Sequence, residues 1–108
     1  MADSGKTATP ESHDVQLGIN YPVPYVQLSQ SKMDQIRWVS ADGNPFLIVF
    51  EEGSPFEKWY FVVSSERGAR AESKPVRKDL KVPEAGLEFK YSVISDGWKL
   101  DPKTGVKP

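Results

Sequence analysis

The chain contains no cysteine, which excludes disulfides, thiolate zinc sites, iron–sulfur clusters and a cysteine nucleophile together. Its single histidine, His13, removes most catalytic triads and most histidine-rich metal sites. No stretch approaches the roughly 20 apolar residues of a membrane-spanning helix. No serine sits in a G-x-S-x-G elbow and no glycine loop follows a strand to cradle a phosphate, so the serines lack a base and stay ordinary hydroxyls. A surplus of one charge is missing too. Fourteen basic side chains stand against 15 acidic ones, for a net charge of −1, which argues against nucleic acid or another polyanion as the partner. These absences predict a chain that is no enzyme and uses no metal and no cofactor.

What is present amounts to 108 residues, about one domain's worth of chain. Residues 1–14, MADSGKTATPESHD, offer no aromatic and no large apolar side chain after Met1, so they are expected to form a disordered N-terminal tail with His13 exposed to solvent. The tail lacks the basic and apolar regions of a secretory signal, which predicts a cytoplasmic protein as the sequence is written, and a periplasmic or secreted one if a signal was removed. Residues 15–108 are then expected to be a single domain.

From Val15 onward the apolar residues recur with period two. Val26 and Leu28, Ile36 and Trp38, Phe46, Ile48 and Phe50, and Trp59, Phe61 and Val63 each read as one face of a strand. The cleanest run is Leu87, Phe89, Tyr91 and Val93 against Glu88, Lys90, Ser92 and Ile94. Asp42-Gly43 and Asp96-Gly97 are the strongest hairpin signals, of the type I′ kind. Seven prolines from Pro22 to Pro102 punctuate the connections, and no window shows a helical stripe. The expected fold class is all-β, an antiparallel Greek-key sandwich or barrel, cupredoxin-like or immunoglobulin-like, of six to eight short strands.

Met33–Phe50, MDQIRWVSADGNPFLIVF, resembles the cupredoxin pattern in which a "V-x-W-x-N" strand turns into "A-P-H-x-V-x-F". Phe89–Asp96 is similar to the strand of that family that carries "Y-x-C-x-x-H". The resemblance implies a cupredoxin-like fold. It places Phe46 where the first copper-ligating histidine would stand, Val93 where the cysteine would stand and Asp96 where the second histidine would stand, and no methionine follows Asp96. A blue-copper site needs two imidazoles and a thiolate, so the fold is implied without its copper. A second, local resemblance runs from Tyr91 to Pro102, where Asp96-Gly97-Trp98 and Leu100-Asp101-Pro102 look like the end of starch- and glycogen-binding modules. It implies that Trp98 stacks on a glucose ring, although one residue is missing between Gly97 and Trp98 and the family's opening segment is absent.

Trp38, Phe46, Phe50, Phe61, Phe89 and Tyr91 fit inward positions of such a core. Trp59 and Tyr60 are neighbours, so one of them faces out. With Tyr21, Tyr25, Phe56 and Trp98 they leave more aromatics than the core needs, and Trp98, Trp59, Tyr60 and Phe56 are the expected binding contacts. Residues 66–81 hold six basic and three acidic side chains and no aromatic. They read as a solvated loop with a guarded edge strand, and Arg67, Arg70, Lys74, Arg77 and Lys78 form a secondary polar surface. Adjacent Glu51 and Glu52 read as a polar strand end and not as a catalytic pair. The expectation is a monomeric, non-catalytic binding module for a protein of unknown identity, or alternatively for a glucan.

Overall fold

A computed structural model describes residues 10–108. The period-two pattern becomes ten strands, and no helix occurs among the described residues. Three sheets form. The first contains β1 (Ser12–Leu17), β3 (Gln35–Ser40) and β6 (Arg70–Glu72) in the order β1-β3-β6; the second contains β2 (Val26–Ser29), β10 (Lys103–Lys107) and β7 (Leu87–Lys90) in the order β2-β10-β7. The third has four strands, β5 (Tyr60–Val63), β4 (Phe46–Val49), β8 (Ser92–Ser95) and β9 (Trp98–Leu100), in the order β5-β4-β8-β9. The architecture is an all-β, sandwich-like fold. Most pairings are antiparallel, but β1 lies parallel to β3 and β2 parallel to β10.

Alternation decides which side chains meet in the middle. Val15 and Leu17 from β1, Ile36 and Trp38 from β3, Phe46 and Ile48 from β4, Phe61 and Val63 from β5, and Val93 from β8 all face one buried cluster. Trp38 is its hub, with ring centroids 5.1 Å from Phe61, 5.8 Å from Tyr91 and 6.4 Å from both Phe50 and Phe56. The Trp38 indole N–H donates to the Tyr91 hydroxyl at 3.5 Å. Burial pushes the Tyr91 phenol up to about 12, against a small lowering by that bond. On the opposite face of the first sheet, Asp14 and Arg37 stand across from each other and form a two-pronged ion pair at 2.8 and 3.0 Å.

Several expectations need correction. Strand β1 begins at Ser12, inside the segment assigned to a tail, because Val15 and Leu17 draw the preceding residues into the ladder with β3; residues 1–9 lie outside the described residues. His13 is accordingly half-buried. The strands number ten where six to eight were expected, since two of them are only three residues long. Asp42-Gly43 makes a turn but no hairpin: β3 and β4 belong to different sheets, and only Gly43 has a positive φ, 86°. Asp96-Gly97 does close a hairpin between β8 and β9, with Gly97 at φ 67°. The run Leu87–Ile94 is two strands. It breaks at buried Tyr91, whose N–H donates to Pro102 O (3.0 Å), so that β7 joins β10 while β8 joins β4.

Candidate functional site

The four-stranded sheet turns Phe46, Ile48, Phe61, Val63 and Val93 inward, so the intervening residues must face outward. On β4 and β5 those residues are also apolar, and β8 adds Ile94, while Ser92 and, on the edge strand, Lys99 share that side. Leu47 stands opposite Val62 on one side and Ile94 on the other, and Val49 stands opposite Tyr60. The result is an apolar outer face on which Val62 is 61% exposed, Tyr60 41% and Leu47 38%, joined by Trp59, 58% exposed, which lies just before β5 and packs on Tyr60 out of step with the alternation. Soluble domains usually place polar side chains there, and a contiguous apolar patch marks a contact surface.

The relief of this face comes from its aromatics. The Trp59 and Tyr60 rings pack edge to face, with centroids 5.0 Å apart and planes at 61°. They wall a shallow depression of about 370 Å³ floored by Leu47 and Val49. A second depression of about 350 Å³ starts on the other side of Leu47 and runs past Val62 and Ile94 to the Asp96–Gly97 turn. Lys58 extends its ammonium over the Tyr60 ring, 4.9 Å from the centroid. That contact steadies the tyrosine and places a positive charge at the rim.

Of the four aromatics expected as contacts, the structure brings Trp59 and Tyr60 together on this face and separates the other two. Phe56 is 1% exposed and packs against Trp38, Phe50 and Phe61; the core uses it to close the space beneath Trp38, so it is no contact residue. Trp98 pairs with Ser95 on the inner side of the sheet and sets its ring edge-on to Phe46, 5.9 Å between centroids. It is half-buried and sits on the opposite side of the sheet from Trp59. Phe89, expected in the core, is half-buried and packs against its border.

The positions implied as vestiges of a copper pocket are also placed. Val93 and Phe46 lie on paired strands with both side chains inward, while Asp96 is exposed in the β8–β9 turn.

The basic segment is divided between an open cleft and the surroundings of β6. Arg77 donates to Ser54 O at 3.0 and 3.2 Å and reaches Asp79 at 3.3 Å, which pins its loop to the turn before Phe56. Lys74, Arg77 and Lys78 share one open cleft with Glu57 and Asp79. Arg67 is exposed before β6 and Arg70 within it, outside that cleft. Glu51 and Glu52 are exposed in the turn after β4.

Sequence reading missed Leu47 and Val62. Their signal was present as Phe46–Val49 and Phe61–Val63, runs apolar at every position, which mark strands wrapped by hydrocarbon on both sides. It also missed Asp34, whose buried carboxylate lies near His13 at 3.4 Å. Asp34 shares the inward parity of Ile36 and Trp38, and that parity was the available sign. No protein-family model, no curated protein and no solved structure matches the chain.

Proposed function

We propose that the chain is a non-catalytic binding module with a copper-free, cupredoxin-like sandwich, and that its contact surface for a protein partner is the outer face of the four-stranded sheet. The observation that carries this reading is the coincidence of Trp59, Tyr60, Leu47 and Val62 on one exposed face. Tryptophan and tyrosine beside aliphatic residues, with a charge only at the rim, form the composition that dominates binding energy at protein interfaces. The mutual tilt of the two rings favours a protein over a sugar, because a pyranose stacks on a flat, open ring. Trp98, on which the glucan alternative rested, has its ring committed to Phe46.

A photo-crosslinking residue at position 62 tests the reading, with one at position 78 as control. A partner captured from position 62 alone, then purified, is expected to bind at least tenfold more weakly to Trp59→Ala than to the unaltered chain. Binding that ignores Trp59→Ala, or a tryptophan-fluorescence titration that saturates with soluble glucan, overturns it. The copper-free element has its own test. Cu(II) added to the protein is expected to give no intense visible charge-transfer band, since Phe46, Val93 and Asp96 supply neither thiolate nor imidazole. A deep blue adduct would refute it.

A further inference from the structure

Outside the aromatic face, the starts of β1 and β3 carry a group of nitrogen and oxygen donors in step with core residues. Val15 and Leu17 of β1 face the core, so His13 and Glu11, two and four residues before Val15, return to the same side. The β1–β3 register pairs Ser12 with Gln35, and the Gln35 N–H donates to Glu11 O at 3.0 Å. One step further, Glu11 comes beside Asp34. Asp34 has the parity of Ile36 and Trp38, and its side chain is only 4% exposed.

This carboxylate is held from behind. Its Oδ1 accepts the Glu11 N–H at 3.1 Å and its Oδ2 accepts the Ser29 N–H at 2.9 Å. His13 Nε2 stands 3.4 Å from Asp34 Oδ2 and 3.9 Å from Glu11 Oε1, and one donor atom from each of the three residues lies within 4.8 Å of the others. An ion pair or charge-assisted hydrogen bond would draw His13 and Asp34 to about 2.8 Å. The observed hydrogen bond is long, and its spacing also matches a tetrahedral edge: ligands at 2.0–2.2 Å from a zinc ion stand roughly 3.3–3.5 Å apart. The His13–Glu11 gap is longer at 3.9 Å, and Glu11, with its side chain 68% exposed, has room to rotate inward.

We propose that His13 Nε2, one oxygen of Glu11 and one oxygen of Asp34 form a binding site for a single divalent transition-metal ion of the zinc class, completed by water. The residue types suit such an ion, borderline in softness and taking nitrogen and oxygen donors together, better than calcium or magnesium, which prefer six or more oxygens. The backbone N–H groups of Ser29 and Glu11 serve as the outer shell that orients Asp34. His13 and Glu11, both partly open to solvent, leave the water position and the entry path on the outside. Bound there, the ion ties the start of β1 to the end of the turn that leads into β3. This site shares no residue with the proposed protein-binding face and stands or falls independently of it.

Tag-free protein, stripped with EDTA and desalted, is titrated with Zn(II) by calorimetry and with Co(II) by absorption. The expected result is one ion per chain, visible Co(II) d–d bands, a rise in melting temperature, and a shift of the imidazole resonances, which belong to His13 alone. His13→Gln and Glu11→Gln are each expected to weaken Zn(II) binding more than tenfold while leaving the circular dichroism spectrum unchanged. The two variants spare buried Asp34, whose replacement endangers the fold. No stoichiometric uptake, or uptake that His13→Gln leaves unaltered, overturns the site.

Discussion

At the scale of single residues, most of the polar side chains with a clear task satisfy backbone groups where the chain changes direction. Asp42 accepts the N–H of Ile19 at 2.7 Å and of Asn44 at 3.0 Å, and so fastens the loop after β1 to the turn after β3. The Asn44 N–H holds its carboxyl below the usual 3.8, against a rise from partial burial, with Ile19 adding to the lowering. Folded Asp42 therefore stays ionised after the unfolded chain has taken up its proton. The stabilisation is whole above about pH 4 and is lost as pH falls through the lowered folded value. Urea denaturation should show Asp42→Asn clearly less stable than the parent at pH 7, with the gap narrowing as the pH falls below the unfolded carboxyl's range. A gap independent of pH would remove the carboxylate from this role.

At the scale of elements, β7 enters the second sheet through Gly86, whose φ is 84° and whose position leaves a Cβ 2.9 Å from the backbone oxygen of Val106 in β10. Gly86→Ala therefore meets both a left-handed penalty of roughly 1–2 kcal/mol and a backbone that cannot yield. Gly105, in the middle of β10, would press on the Tyr25 hydroxyl and, at 2.9 Å, on the Gln27 side-chain oxygen, the far ends of two exposed side chains that can shift. Gly105→Ala is expected to cost under about 1 kcal/mol and Gly86→Ala at least about 2 in chemical denaturation; equal costs would contradict this account. Such asymmetry was invisible in the sequence, where both are lone glycines. Alternation was legible. It placed Trp38, Phe46, Phe50, Phe61 and Tyr91 in the core, because that pattern records only which side of a ribbon is dry. Pairing was not legible. The Asp42-Gly43 turn looks like any hairpin loop, and nothing local says that β3 will seek β1 and β6 while β4 seeks β5 and β8. The same limit explains Phe56, which lies outside any strand and reaches the core from a loop held by Ser54 and Arg77.

At the scale of the whole molecule, the strands that pair are mostly distant in sequence, with β2 and β10 joining Val26–Ser29 to Thr104–Lys107. Loop closure over such spans must precede the contacts that reward it. Refolding from urea is expected in the millisecond-to-second range, and removing residues 103–108 should abolish the cooperative transition, since the second sheet loses its central strand. Microsecond refolding, or a sharp transition in the shortened chain, would contradict the topology. The candidate contact surface was legible in part for a related reason. Neighbouring Trp59 and Tyr60 had to leave at least one ring outside, but Leu47 and Val62 join them only once β4 and β5 are set side by side. The two parallel pairings carry a mechanical consequence as well. Ser12 opens β1 beside the start of β3 and Lys107 closes β10 beside the end of β2, so a pull along either strand draws it lengthwise past its neighbour. The ladders then bear load in shear, many bonds at once, and do not unzip one rung at a time.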